Sequence, residues 1–136
     1  MSQVSDKLRS WKSLDGAQGG FTYWCQGCNS SHTVRTHGPG SWGWNGDVNK
    51  PTFTPSVLLN GVRMTAKGEA DWEAWVAAGC PSPSPGSFES APLVCHSFVT
   101  DGRVQFLSDC THALAGQTVD LADLPPHMRD DHEPQT

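Results

Sequence analysis

Apolar and polar residues alternate over several short stretches of the chain, and residues typical of turns separate these stretches. An alternation with period two is typical of β-strands that bury one face. It predicts strands over residues 21–24, 33–36, 57–59, 62–64, 93–99 and 104–109. The dipeptide Asn60-Gly61 is a strong hairpin-turn signal, so we expect the strands on either side of it to pair directly. Residues 69–78 instead carry apolar side chains at helical spacing and predict a helix that ends at Gly79.

The last two predicted strands carry most of the candidate chemistry. Residues 101–102 read as a tight turn between them, and we count strand pairs outward from that turn. Side chains alternate between the two faces, so Cys95 and Cys110 fall on one face of this hairpin. His96 and Asp109 fall on the opposite face, as diagonal neighbours within reach of each other. One hairpin can therefore present metal ligands to one side and a His/Asp pair to the other.

The composition narrows the class of protein. The 136 residues are enough for one domain with a core, and 14 glycines, 10 prolines and 6 tryptophans favour a turn-rich, mostly β domain. A net charge of −5 gives little support to a nucleic-acid partner. No apolar run approaches the ~20 residues of a membrane span, and the polar N-terminus lacks the apolar centre of a signal peptide. We therefore expect a cytoplasmic protein without a nucleic-acid or membrane partner.

The spacing of the cysteines predicts a metal site. In a reducing compartment, five cysteines are more often metal ligands or free thiols than disulfides. Cys25-x-x-Cys28 is half of a zinc site, because two thiolates at this spacing can wrap one metal through a tight turn. Cys95 and Cys110 can supply the other half through the hairpin and close the shell of a structural Zn²⁺. His32 is the reserve ligand, and the alternative is a set of buried free thiols.

These patterns together predict an α+β fold: a small, mostly antiparallel β domain with a zinc knuckle and one or two short helices. We expect this domain to span residues 21–124. Within it, residues 66–90 form an insertion that holds the helix and a linker rich in proline and serine. Residues 1–20 are expected to be a flexible arm and residues 125–136 a flexible tail.

The residues also suggest a candidate nucleophile and a candidate general base. His96 with Asp109 has the form of a general base with its orienting carboxylate, although such a pair can also simply satisfy itself in a sheet. Ser56 opens a predicted strand, whereas the side chain of Ser97 is expected to point away from His96. Geometry therefore favours Ser56 over Ser97 as nucleophile. His112 competes with His96 for the role of base.

A series of motifs carries a resemblance to a known family. In order, they are Cys25-x-x-Cys28-x-x-x-His32, Trp44-Asn45-Gly46-Asp47, Lys50-Pro51-Thr52-Phe53-Thr54-Pro55-Ser56-Val57, Cys95-His96-Ser97-Phe98-Val99 and Asp109-Cys110-Thr111-His112-Ala113-Leu114-Ala115-Gly116. The series resembles a family of small phage and bacterial proteins that also occurs in bacterial ubiquitination-like (Bub) operons. The resemblance implies a serine-type, deubiquitinase-like hydrolase that acts on a ubiquitin-like protein or its conjugate. It favours catalytic roles for Ser56 and His96.

The chain departs from the usual pattern of that family in two places. Thr54 stands where a serine is common, and residues 66–90 look like an insertion. Two other functions stay open at this point. One is a non-catalytic zinc-knuckle adaptor that binds a protein partner through the loop containing Trp42 and Trp44. The other is a zinc-dependent hydrolase with the metal on histidine and cysteine ligands and an open site for water.

Overall fold

Two antiparallel β-sheets form the framework of the molecule. The computed structural model describes residues 2–12, 16 and 18–130. The first sheet has the strand order β1-β2-β3-β4, and the second has the order β5-β6-β7-β8-β9. The strands are β1 (Ser2–Gln3), β2 (Arg9–Lys12), β3 (Gln18–Cys25), β4 (Ser30–Arg35), β5 (Gly43–Trp44), β6 (Phe53–Met64), β7 (Ser90–Thr100), β8 (Arg103–Phe106) and β9 (Thr118–Asp120). The mostly antiparallel β architecture predicted from the alternation is confirmed, with one α-helix among the described residues.

Aromatic side chains hold the two sheets together. The ring of Phe53 on β6 lies 6.1 Å from that of Phe21 and 6.2 Å from that of Tyr23, both on β3. All three are buried, and such aromatic contacts add to the free energy gained by burying the rings. The core around them also contains Leu8, Val34, Val57, Val99, Val104, Phe106 and Leu121. Strands β6 and β7 therefore lie against a packed core that fixes their position.

The turn between β7 and β8 lies where the sequence predicts it. Asp101 and Gly102 have φ angles of 49° and 74°, and a type I′ turn requires positive φ at both central residues. The register pairs Val99 with Val104 and Ser97 with Phe106. The pairs counted from the sequence are therefore confirmed as far as Phe106, but the strand predicted over residues 104–109 ends there, and residues 107–110 form a turn in which the N–H of Cys110 donates to the carbonyl of Leu107.

The hairpin predicted at Asn60-Gly61 is wrong. Strand β6 runs unbroken from Phe53 to Met64 and pairs with β7, with Asn60 opposite Val94. The dipeptide favours a turn only through its local conformational preference. A long ladder of pairs with a strand that follows much later in the chain overrides this preference. The connection between β6 and β7 consequently contains the helix.

The helix α1 (Ala66–Ala77) begins three residues before the predicted start at residue 69. Thr65 caps it, because its Oγ1 accepts a hydrogen bond from the backbone N–H of Gly68 at 3.1 Å. Its end is close to the predicted one, with Gly79 at a φ of 86°. No helix in the described part of the chain is long and apolar enough to cross a membrane.

Replacing the capping threonine is expected to have a small, local effect. Thr65→Ala should lower the free energy of unfolding by about 1 kcal/mol, because the N–H of Gly68 loses its partner. Thr65→Ser keeps the hydroxyl and should stay within a few tenths of a kcal/mol of the wild type. Urea denaturation followed by circular dichroism measures both. Equal stability of the alanine and serine variants would contradict this assignment of the cap.

The N-terminal segment differs from the predicted flexible arm. Strands β1 and β2 extend the first sheet beyond β3, and Leu8 is fully buried. The Arg9 guanidinium donates to the Met128 carbonyl and to the Asp130 carboxylate, each at 2.6 Å. Buried apolar surface and these charged contacts order a segment that its polar composition suggested was loose. The predicted flexible tail is docked as far as Asp130, and the rest of that prediction, residues 131–136, lies outside the described residues.

Candidate active site and metal centre

Ser56 lies on β6 where the pairing with β7 is irregular. The register shifts between Phe53 and Val57, so Ser56 stands in a bulge rather than in the regular ladder. Its Oγ lies 2.9 Å from Nε2 of His96, which is on β7. The indole N–H of Trp42 donates to the backbone carbonyl of Ser56 at 3.1 Å and so helps to fix the backbone of the bulge. Serine and histidine are therefore in direct hydrogen-bond contact across two strands.

The second ring nitrogen of His96 faces Asp109. Nδ1 lies 3.1 Å from Oδ2 of Asp109, which follows the end of β8. The His96 side chain is 25 % exposed and that of Asp109 is 55 % exposed. A carboxylate that accepts from Nδ1–H leaves the lone pair of Nε2 directed at the serine hydroxyl. The structure thus brings together Ser56, His96 and Asp109 in one chain of hydrogen bonds, with Asp109 reaching His96 from the turn that follows β8 rather than from a strand.

The competing serine and histidine lie elsewhere. Ser97 is 1 % exposed and, as the next residue along β7, points to the opposite face from His96. Nδ1 of His112 accepts from the N–H of Leu114 at 3.2 Å, and its Nε2 lies 3.5 Å from Sγ of Cys95. Neither side chain takes part in the chain of hydrogen bonds to Ser56.

A buried cluster of cysteine and histidine side chains lies under the same strands. Cys25, Cys28, His32 and Cys95 each offer a ligand atom, and these atoms all lie within 4.8 Å of one another. The Sγ atoms of Cys25 and Cys95 are 3.9 Å apart, and a tetrahedral zinc with 2.3 Å bonds would set two sulfurs about 3.8 Å apart. Nε2 of His32 is buried without a hydrogen-bond partner among the described residues. The cluster can therefore hold a metal ion.

Cys110 is where the structure differs from the predicted set of ligands. It belongs to a second group, with Cys95 and His112, that shares only Cys95 with the first. Its Sγ accepts from the N–H of His96 at 3.2 Å and donates to the carbonyl of His96 at 3.2 Å. The Cys110 sulfur is thus held by the backbone of His96 and lies outside the cluster of Cys25, Cys28, His32 and Cys95. The reserve ligand His32 is instead the fourth member of the buried cluster.

The electrostatics of the cluster already favour one negative charge. A hydrogen bond from the Cys95 thiol is the main cause that lowers the pKa of Cys25 to about 4. Burial, reinforced by the charge on Cys25, raises the pKa of Cys28 to about 11. Donation to Cys25 also raises the pKa of Cys95 well above its usual range. A divalent cation would supply the positive charge needed for the other thiols to lose their protons.

Trp42 is the residue near the site that the sequence did not single out for the chemistry. Its loop is rich in glycine and has no periodic pattern, so its contacts could not be deduced. The one available signal was that a large indole must pack somewhere. It packs partly against the core and fixes the backbone of Ser56.

The chain matches a family described as the serine protease of a bacterial ubiquitination-like system (BubE), over residues 3–107. The matched part includes Ser56, His96 and the four side chains of the buried cluster, and it ends before Asp109. Neither the curated proteins nor the solved structures compared with the chain gave a match. Because the family match covers well over half of the sequence, the chain belongs to the BubE family of serine proteases of bacterial ubiquitination-like systems.

Proposed function

We propose that this protein is a serine protease that cleaves a peptide or isopeptide bond at the C-terminal tail of a ubiquitin-like protein. The observation that carries the proposal is the chain of hydrogen bonds from Ser56 through His96 to Asp109. Family membership supports serine-protease chemistry and the ubiquitination-like setting. The retention of free thiols fits the reducing cytoplasm.

In the proposed mechanism, Ser56 is the nucleophile and His96 is first a base and then an acid. Oγ of Ser56 attacks the scissile carbonyl carbon while its proton passes to Nε2 of His96. The C–N bond then breaks, and the leaving amine takes that proton from His96. A water molecule, deprotonated by His96, attacks the acyl-enzyme ester, and Oγ of Ser56 recovers the proton. Each half of the reaction returns the histidine to its neutral form.

Asp109 is proposed to hold the His96 ring in the tautomer that leaves Nε2 unprotonated. Its carboxylate also stabilises the imidazolium that forms during each half-reaction. More than half of the Asp109 side chain is exposed, so solvent screens part of this interaction. Asp109 is therefore a supporting group whose loss should cost less than the loss of His96.

The metal is proposed to be a structural zinc held by Cys25, Cys28, His32 and Cys95. Four protein ligands close a tetrahedral shell and leave no position for a water molecule. These ligands come from β3, β4 and β7, and from the turn that joins β3 to β4, so a bound ion would tie the two sheets together. We propose no part for the ion in bond cleavage.

Cleavage of reporter fusions tests the function. Bacterial ubiquitin-like proteins, each fused at its C-terminus to a reporter protein, are incubated with the wild-type protein. Mass spectrometry then identifies the new terminus. We expect at least one fusion to be cut directly after the ubiquitin-like tail. Tight binding of a fusion without any cleavage would replace the proposal with the adaptor function.

Asp109→Asn is expected to lower kcat by about a hundredfold, because the amide can neither fix the tautomer nor balance the imidazolium charge. Steady-state cleavage of the best fusion measures this loss. A variant as active as the wild type would show that the hydrogen bond to His96 has no catalytic role.

Ser97→Ala serves as the control for the choice of serine. Ser97 neighbours His96 in sequence but is buried on the other face of β7. We expect cleavage to stay within about threefold of the wild type, since the substitution removes only one buried hydroxyl. If this variant is inactive and folded while Ser56→Ala retains activity, the nucleophile has been assigned to the wrong serine.

A further inference from the structure

The backbone of β6 has a free edge that begins beside Ser56. On β7, the N–H of His96 bonds to Cys110, and the carbonyl of His96 accepts from the N–H of Leu107 at 2.9 Å. Both groups of His96 therefore point away from β6. Leu58 stands directly opposite His96, so this is a non-hydrogen-bonded pair of the antiparallel ladder. The N–H and C=O of Leu58 consequently point outward, away from β7.

Asn60, two residues after Leu58 on β6, has the same backbone geometry. Val94 donates its N–H to Oγ1 of Thr111 at 3.0 Å and accepts the N–H of Thr111 at 2.9 Å, so it too is turned away from β6. Asn60 is the residue opposite Val94, and its backbone groups point outward like those of Leu58. The neighbouring strand β5 pairs only with Phe53 and Thr54. In the part of the chain that the structure describes, the outward groups of Leu58 and Asn60 have no strand beside them.

This edge is accessible and leads to the nucleophile. Leu58 is 51 % exposed, and a groove of about 170 Å³ runs beside it, with Thr33 of β4 and Trp42 on its other walls. At Ser56 the outward carbonyl is already occupied by the indole of Trp42. The open edge therefore stops at the reactive serine. Long exposed strand edges invite pairing with another chain, so an unprotected edge at this position indicates a binding role.

We propose that the extended C-terminal tail of the substrate adds to β6 as an antiparallel strand, hydrogen-bonded to the backbone of Leu58 and Asn60. This inference rests on the proposed function, which places the scissile carbonyl at Ser56. An antiparallel tail runs toward Ser56, so the residues before the scissile bond lie along the edge. At about 3.3 Å per residue, the distance from Ser56 to Asn60 spans roughly the last four residues of the tail. Backbone pairing recognises an extended segment whatever its side chains.

Asn60→Pro tests the edge, because proline removes the outward N–H and leaves the inward ladder untouched. Proline is tolerated on edge strands for this reason. We expect kcat/KM for the best-cleaved fusion to fall about tenfold relative to the rate at which a fluorophosphonate probe labels the same variant. Thr118→Pro is the matched control: it removes an outward N–H from β9, the opposite edge of the same sheet, and should cleave like the wild type. Equal cleavage by both proline variants would overturn the inference.

N-methylated substrates test the same pairing without altering the protein. A peptide with the sequence of that tail, ending in a coumarin amide, is methylated at one backbone nitrogen at a time. We expect about tenfold losses in kcat/KM at every second position, since only alternate residues of an added strand bond to β6. If kcat/KM does not depend on the position of the methyl group, the proposed pairing is overturned while the serine-protease function stays intact. If the unmodified peptide and all fusions resist the wild-type protein, both proposals fail.

Discussion

Ser56→Ala and His96→Ala are each expected to reduce cleavage of a ubiquitin-like fusion on the order of 10⁴-fold or more. The hydroxyl and the imidazole are 2.9 Å apart and are proposed to act as one unit in the same proton transfer. Removing either one leaves no activated nucleophile. Initial rates of fusion cleavage measure the loss, while circular dichroism and metal content show that the fold is retained.

The double variant provides the sharper form of this prediction. Because each single substitution already removes the whole unit, Ser56→Ala combined with His96→Ala should be little slower than either alone. Losses that multiply would indicate two independent contributions and argue against direct proton transfer between Ser56 and His96. Full activity of either single variant would contradict the proposed roles.

Removal of the metal is expected to be the largest perturbation of stability. The purified protein should contain about one zinc per chain. Chelation should lower the free energy of unfolding by on the order of 5 kcal/mol and Tm by roughly 15 °C, because the binding energy of a structural metal is largely folding energy. Elemental analysis and calorimetry measure these quantities. A metal-free protein that melts at the same temperature as the holoprotein would contradict the account.

Three cysteine variants separate the ligands from their neighbours. Cys25→Ser should lose the metal and the stability that accompanies it, since Cys25 belongs to the buried cluster. Cys80→Ser is the matched control, because Cys80 is exposed and lies outside the buried cluster, in the connection that follows α1. Cys110→Ser decides between the two possible ligand sets. Retention of the metal supports His32 as the fourth ligand, and its loss would return Cys110 to the metal site.

Strand β7 links the proposed metal site to the proposed active site. Cys95 and His96 are neighbours on this strand, with the cysteine among the clustered ligands and the histidine on the face of Ser56. A bound metal would therefore hold the strand that carries the proposed base. This link predicts that mild chelation lowers activity in parallel with folded protein, whereas a catalytic metal would be lost with the fold intact.

The part of the site built from one hairpin could be predicted from the sequence. The turn at Asp101 and Gly102 fixes the register, and the register fixes which side chains share a face. The alternation of side chains places His96 on the face opposite Cys95. Asp109 lies near His96, as predicted, but it does so from the turn that follows β8. The CxxC motif likewise points to two members of the buried cluster, because the two cysteines are local in sequence.

Contacts between distant segments could not be predicted in the same way. Whether His32 or Cys110 completes the cluster depends on how β7 packs against the hairpin of β3 and β4, and sequence spacing does not encode the distance between two sheets. The hairpin signal at Asn60-Gly61 was overridden by pairing with β7, which lies some thirty residues later in the chain. Trp42 reaches Ser56 from an irregular loop, for which no periodic pattern exists. In each case contacts between distant segments, rather than local conformational preference, determine the observed structure.

Labelling with a fluorophosphonate probe tests the central claim most directly. Such a probe reacts far faster with a serine that a neighbouring base activates than with an ordinary hydroxyl. The account predicts that peptide mass spectrometry of the wild-type protein finds one adduct, on Ser56, and that His96→Ala abolishes it without unfolding the protein. An adduct on Ser97 or on another residue, or an unlabelled protein that still cleaves its substrate, would contradict the account.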